Sequence, residues 1–365
     1  MRFVQINGLK EGMRLGKSLY DKNDNLLLSK GSIIQESYIG KIYNLGYQGI
    51  YIDDKISEEI EVEDIIKEDL RRKTINTVKN VFIQANSDIN NKCLGKVDQT
   101  KLLVSDIVEQ IIDNKDTIVN LIDLKMYDDY TFSHCVNVAV LSIVLGVSIG
   151  MSKDELFILG LGAILHDIGK IFIDNSILNK KGKLTEEEYN IIQKHAEYGY
   201  DYLRDTFEIP SAAYVAVLQH HEKFDGTGYP TMRDKDNISL YGRIIGIADV
   251  YDALTSNRPY RKALLPSEAM EYIMANGGIM FDINLTKKFV QKVAPFPVGT
   301  SVKLSNDYKG IVIENYEEAC LRPKIKVVLD NNDMEIKPQY YNLKDDKYLR
   351  NITITSITEI NQKIS

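Results

Sequence analysis

Three cysteines, Cys93, Cys135 and Cys320, are the only thiols in 365 residues. None stands in the paired spacing that a structural zinc ribbon needs, and thiols so few and scattered fit a reducing cytoplasm. The opening stretch, MRFVQINGLKEGMRLG, has no apolar signal region and no cleavage-like site. The longest nearly apolar stretch, residues 138–151, is too short to span a bilayer, so no membrane insertion is expected. Basic charge is in deficit: a net charge of -7 argues against a broad surface for a DNA or RNA polymer. Internal repeats and low-complexity tracts are also lacking.

What is present suffices for a large core. At 365 residues with 44% hydrophobic content the chain exceeds the usual single-core size, and two or three units are expected. Residues 1–54 read as a small α+β module: FVQI, then two alternating runs joined at Asn23-Asp24-Asn25 like a hairpin, a helix over Glu36 to Asn44, and GIYI. The acidic stretch Asp53 to Asp69 carries Ile60, Ile65, Ile66 and Leu70 at roughly helical spacing, so it is expected to begin a helical connector over 55–125. From about residue 100 to 293 the apolar spacing is helical. Thr185 and Glu188 form a capping box that sets His195 near mid-helix. Pro210-Ser211 opens the helix that carries His220 and His221, and Pro266-Ser267-Glu268 opens another that ends at Gly277-Gly278. After Pro295-Phe296-Pro297 the runs VGTSVKL, GIVIEN, KIKVVL and YLRNITIT alternate, which predicts a β-barrel or β-sheet over 295–365. The fold class is mainly α, an all-helical metal-binding domain over 126–294 flanked by the two small modules.

All five histidines lie between residues 134 and 221, under a quarter of the chain, and Asp249 and Asp252 follow on one predicted helix. Imidazole and carboxylate together suit divalent ions such as iron or manganese, with nickel and zinc as alternatives. Two metals sharing a carboxylate polarise a phosphodiester, acidify a bridging water and stabilise the departing oxygen. Asp167, beside His166, is the best bridge because a carboxylate offers two oxygens where an imidazole offers one nitrogen. His220 and His221 are about 100° apart around a helix and converge only if they occupy its frayed last turn. The Asp225-Gly226-Thr227-Gly228-Tyr229-Pro230 stretch breaks the helix just there and lets backbone and Tyr229 approach a substrate. An acidic protein with a phosphate ligand needs local positive charge, which metal ions supply with help from Lys170, Arg243, Arg258, Arg261 and Lys262. Lys170 is suited to neutralise a phosphate oxygen in the transition state.

His166-Asp167-Ile168-Gly169-Lys170, His195, His220-His221-Glu222 with Asp225-Gly226-Thr227-Gly228-Tyr229-Pro230, Ile247-Ala248-Asp249-Val250-Tyr251-Asp252-Ala253-Leu254-Thr255 and Arg258-Pro259-Tyr260-Arg261-Lys262 resemble the HD-GYP family of cyclic di-GMP phosphodiesterases. The likeness covers about residues 126–292. It implies an HD-type helical domain with two divalent ions held by His134, His166, Asp167, His195, His220, His221 and Asp249. Asp167 and Lys170 are the implied catalytic groups. Lys170, Arg258 and Arg261 are implied to contact phosphates or guanine, Gly228, Tyr229 and Pro230 to border the substrate, and Asp252 to be a further ligand, a supporting group or a substrate contact. The implied reaction opens cyclic di-GMP to pGpG in the cytoplasm. Another cyclic dinucleotide, or a non-catalytic receptor for cyclic di-GMP, is the alternative; a diguanylate cyclase domain and a second copy of the chain are the protein partners considered. Some members carry a glutamate four residues before the first ligand histidine and hold a third metal. Here Tyr130 stands there, which favours two metals and leaves further cleavage to GMP open; its side chain is expected to be buried on the helix, with contact to a metal-bound water or the substrate as the alternative.

Overall fold

In a computed structural model the chain is described over residues 1–21, 24–47, 49–87, 94–120, 130–180, 182–206, 208–256 and 262–360. It divides into two compact units, one of Met1–Asp64, Ile118–Tyr130 and Val293–Ser365, the other of Ile65–Thr117 and Thr131–Lys292.

The first unit is built mostly of antiparallel strands. β1 (Arg2–Gln5), β2 (Arg14–Leu15), β3 (Leu19–Tyr20), β4 (Leu26–Leu28), α1 (Glu36–Asn44) and β5 (Gly49–Asp53) follow in order. They form a three-stranded sheet ordered β1-β5-β2 and the hairpin β3-β4, with Val4 paired to Ile50. Ile42 of α1 packs with Val4, Leu15, Ile34 and Ile50 in its core. The acidic stretch departs from expectation. Residues 54–67 hold no helix, and helix begins at Glu68. Ile60 and Val62 are buried while Glu61 is exposed, an alternation of two that belongs to extended chain rather than helix. Burial against strands outweighed the coincidental helical spacing of the isoleucines.

β6 (Ser301–Leu304), β7 (Lys309–Glu314), β8 (Lys324–Leu329), β9 (Glu335–Asn342) and β10 (Ile354–Ile357) form an open antiparallel sheet ordered β10-β6-β7-β8-β9. The sequence gives little sign of β9, since EIKPQYYN contains Pro338 and is largely exposed. It sits at the sheet edge, where a proline costs no ladder hydrogen bond. Tyr51, Ile56, Ile60 and Val62 share one core with Val298, Ile311, Val328 and Ile360, so the two β segments are one body.

The second unit is helical: α2 (Glu68–Ser87), α3 (Leu94–Asp113), α4 (Tyr130–Ser148), α5 (Lys153–Leu165), α6 (Asn175–Leu178), α7 (Glu186–Gln193), α8 (His195–Thr206), α9 (Ser211–Gln219), α10 (Leu240–Leu254), α11 (Pro266–Ala275) and α12 (Ile283–Lys292). Capping boxes start α5 (Ser152 with Glu155) and α7 (Thr185 with Glu188). α5 packs against α3 and α9, and α8 against α9 and the 3-10 turn Ile168–Phe172. The window Thr131–Ser148 is long and apolar enough to cross a membrane, more than the sequence reading allowed, yet 78% of it is buried inside the protein, as in a core helix.

Candidate metal centre

Helix ends bring the histidines together. His166 is the C-cap of α5 and His220 the C-cap of α9; α7 stops at Gln193 and His195 opens α8, so His195 begins a helix instead of lying inside one. The chain tightens at Lys194, whose N–H bonds the Ile191 carbonyl three residues back. The last carbonyls of a helix have no intrahelical N–H partner, and here imidazoles take them. Nδ1 of His166, His195 and His220 donates to the carbonyls of Ala163 (2.7 Å), Ile192 (2.7 Å) and Val217 (2.6 Å). A carbonyl can only accept, so in each ring Nδ1 carries the proton and Nε2 keeps its lone pair. His134, on α4, is likewise held from behind, Nδ1 donating to Asp252 Oδ2 at 2.6 Å.

The possible ligand atoms converge as two clusters, His134 with His166 and Asp167, and His195 with His220 and His221; within each, these atoms lie within 4.8 Å of one another. Asp167 spans them. Its Oδ2 is 3.4 Å from His166 Nε2 and 3.9 Å from His134 Nε2, while its Oδ1 is 3.6 Å from His195 Nε2. Asp249 on α10 does the same from the other side, with Oδ1 3.1 Å from His134 Nε2 and Oδ2 3.8 Å from His221 Nδ1. All seven residues proposed from the sequence as ligands therefore meet at one site.

Burial decides the protonation states. It drives the His195 pKa down to about 4 and holds His220 well below the usual histidine range, and it is also the main cause of the fall at His221. Burial opposes the charged forms of Asp167 and Asp249 too, but it is outweighed, chiefly by the Lys170 ammonium at Asp167 and by the hydrogen bond with His134 at Asp249; both remain carboxylates, well below their ordinary pKa. At His134 burial is overcome by Asp249 and Asp252, and its pKa is raised.

Two observations test whether this donor set fits a metal. His166 Nε2 is fully buried and makes no hydrogen bond, an arrangement that costs free energy unless a cation takes the lone pair. His195 Nε2 and His220 Nε2 face each other at 3.3 Å. With both Nδ1 protons committed to carbonyls, lone pair opposes lone pair, and a cation between them removes the repulsion. Neutral imidazoles and ionised carboxylates in this mixture suit divalent ions.

Glycine lets the walls close. A Cβ on Gly169 would lie 1.9 Å from the His195 carbonyl oxygen, so the turn bearing His166 and Asp167 touches the start of α8 only because residue 169 has none. At Gly228 a Cβ would meet Lys223 N at 2.3 Å and His221 O at 2.5 Å. Tyr229 is thereby laid on His221, ring centroids 4.7 Å apart at an interplanar angle of 30°, and its N–H bonds the His221 carbonyl at 3.2 Å. Pro230 follows, partly buried.

Lys170 Nζ lies 2.5 Å from Asp167 Oδ2, its side chain 31% exposed at the mouth. Asp252 differs from a substrate contact: it is buried, one oxygen taken by His134 and the other accepting from Asn137 Nδ2 at 2.8 Å. Arg243 is tied to Asp236 and Asp282 at 2.8 and 2.9 Å, and Lys262 is exposed. Arg258 and Arg261 lie outside the described residues, as does the side chain of Tyr130.

Two residues without an assigned role emerge. Glu222 is buried and accepts from Thr231 N (2.8 Å), Thr231 Oγ1 (2.7 Å) and Arg233 N (3.0 Å), pinning the far side of the loop that carries Tyr229. Asn137 is the other. Its signal was a lone amide in the apolar run VNVAVLSIVLGV, one turn after His134.

Residues 106–285, just under half of the chain, match the HD domain family model. The motifs that resemble the HD-GYP family all lie within the matched residues. It is 36% identical over 225 residues to a cyclic di-GMP phosphodiesterase of Pseudomonas aeruginosa, covering 62% of this chain and 54% of that protein. It is 41% identical over 147 residues to 3'3'-cGAMP-specific phosphodiesterase 3 of Vibrio cholerae, covering 40% and 32%. The chain thus spans about half of the first relative's length and about a third of the second's. In fold it resembles an HDG"Y"P protein of Bdellovibrio bacteriovorus, with a TM-score of 0.50 and 19% identity over 79% of this chain and 97% of that one.

Proposed function

We propose that this chain is a metal-dependent phosphodiesterase that hydrolyses cyclic di-GMP to pGpG. The observation that carries the reading is the pair of carboxylates, Asp167 and Asp249, each with its two oxygens turned to different histidine clusters. His134, His166 and Asp167 would hold one ion, and His195, His220 and His221 the other, with Asp167 and Asp249 reaching both; iron or manganese suits the mixed nitrogen and oxygen donors better than nickel or zinc. When bound, such a pair of ions acidifies water and offsets charge on the phosphodiester oxygens.

The chain's own groups do the rest. Hydrogen bonds donated by Nδ1 fix four of the imidazoles so that Nε2 needs no rearrangement to bind. Lys170, at the mouth, supplies positive charge to a non-bridging phosphate oxygen, and Arg258 and Arg261 contact further phosphate or guanine groups. Gly228, Tyr229 and Pro230 form the substrate's border, where the Tyr229 ring shields His221 from water. Asp252 orients His134. The proposal includes a cytoplasmic location, which suits the free thiols of Cys135 and Cys320; a diguanylate cyclase domain and a second copy of the chain are its protein partners.

The test is turnover by protein loaded with Mn²⁺ or Fe²⁺, followed by chromatography of the products from a panel of cyclic dinucleotides. pGpG is expected from cyclic di-GMP. Intact cyclic di-GMP after incubation with metal-replete protein overturns the reading, and binding without turnover identifies a receptor. The similarity to a 3'3'-cGAMP-specific enzyme supports a second reading, hydrolysis of that mixed dinucleotide, which the same panel separates.

A further inference from the structure

Behind His134 a chain of hydrogen bonds leads away from the site to α2, in a segment that precedes the matched HD domain, which begins at residue 106. Arg71 Nη2 donates to Asn137 Oδ1, Asn137 Nδ2 donates to Asp252 Oδ1 at 2.8 Å, and Asp252 Oδ2 accepts from His134 Nδ1 at 2.6 Å. Asn137, Asp252 and His134 are all buried. We propose that Arg71 is a positioning residue of the metal centre, acting through Asn137 and Asp252 to set the tautomer and aim of His134. The proposal rests on the metal reading given above.

The polarity of the chain carries the argument. A guanidinium only donates, so the asparagine must turn its oxygen to Arg71 and its NH₂ to Asp252. An ionised carboxylate only accepts, so the proton shared with His134 stands on Nδ1. Nε2, which faces Asp249 and Asp167, is then the ring nitrogen turned to the other ligands of the site. Each partner admits one orientation once Arg71 is in place. Without that donor the Asn137 amide can turn over and set its oxygen against Asp252, a repulsion relieved only by moving the aspartate or the imidazole. Groups that hold a ligand from behind typically contribute 10- to 100-fold in metal affinity. Arg71 stands two links behind Asp252, so the lower end applies.

Mn²⁺ titration of the full-length chain tests this, with thermal unfolding recorded alongside. Arg71→Ala is expected to weaken Mn²⁺ binding about 10-fold, and Arg71→Lys, which keeps a cationic donor, to recover most of it. In a His134→Ala background the same Arg71→Ala change should add no further loss, because its route to the metal is gone. Losses that add in the double variant, or an unchanged Mn²⁺ affinity in folded Arg71→Ala, overturn the proposal. If Arg71→Ala does not fold, Asn137→Ala breaks the same chain in its middle and must give the same loss, again absent when His134 is missing. Wild-type protein that binds no Mn²⁺ refutes the metal reading itself, an outcome distinct from any effect of Arg71.

Discussion

Gly169→Ala gives a severe test because one methyl group is set against backbone. The added Cβ would lie 1.9 Å from the His195 carbonyl oxygen and 2.5 Å from Gly199 N. Neither atom belongs to a side chain that could swing aside. Ordinary contact needs about 1.5 Å more, so the turn carrying His166, Asp167 and Lys170 must retreat from the start of α8, or α8 must shift along α9. Overpacking of this kind costs about 2–3 kcal/mol, a fall of about 5–10 °C in melting temperature for a unit of this size. The catalytic loss should exceed what stability accounts for. Asp167 Oδ1 and His195 Nε2 stand 3.6 Å apart across that contact, and separating them pulls apart the two ligand clusters. A displacement of about 1 Å in a catalytic constellation costs on the order of 10²-fold. Purified Gly169→Ala protein would be followed by thermal unfolding, metal analysis and turnover of cyclic di-GMP at a temperature where it is fully folded. Wild-type melting together with wild-type turnover would refute the close approach as the reason for the glycine.

Asp167→Ala should abolish turnover and lower bound metal while the helical circular dichroism persists, since the carboxylate facing both clusters is lost; undiminished hydrolysis by metal-replete protein sinks the shared-carboxylate assignment. Lys170→Ala should keep its metal and lose about 10²-fold in rate, the loss typical of one charge-stabilising donor; metal lost along with activity would mean that the lysine chiefly maintains Asp167. Glu222→Gln, which turns an NH₂ towards groups that need an acceptor, should free the loop bearing Tyr229 and raise KM more than it lowers kcat, with metal content unchanged; an unaltered KM would leave the glutamate without that role. Tyr130→Glu puts a carboxylate one helical turn before His134, and metal analysis of folded protein should find a third ion with products moved from pGpG towards GMP; wild type that already holds three ions and releases GMP refutes Tyr130 as the limit.

Much of the site was legible because its chemistry dictates residue types. Neutral imidazoles and a shared carboxylate have few substitutes, so the clustered histidines, Asp167 and Asp249 stood out by residue type, and the likeness to the HD-GYP family implied the full ligand set. Helix starts at Thr185 and Pro266 were equally plain, being set by local hydrogen bonding and proline geometry. What escaped depends on partners distant in the chain. Ile60 and Val62 took extended backbone because strands wait to cover them, and β9 accepts Pro338 because of its place at a sheet edge, a fact of topology. The break before His195 belongs to the same class. A single residue, Lys194, separates two helices whose joint pattern looks continuous, and the break is what turns His195 Nδ1 onto the Ile192 carbonyl.

The core shared by Tyr51, Ile56, Ile60 and Val62 with Val298, Ile311, Val328 and Ile360 has a consequence for biosynthesis. The first four of these are made more than two hundred residues before the side chains that cover them. Between the two stretches the ribosome produces the helical unit, which has a set of contacts of its own and can close as soon as Lys292 has emerged. The β unit must meanwhile hold its isoleucines uncovered, with a large loop still to be closed. Nascent chains arrested with Lys292 just outside the ribosome should therefore protect the helical unit from protease while Tyr51 to Val62 remain open to cleavage and to chaperones.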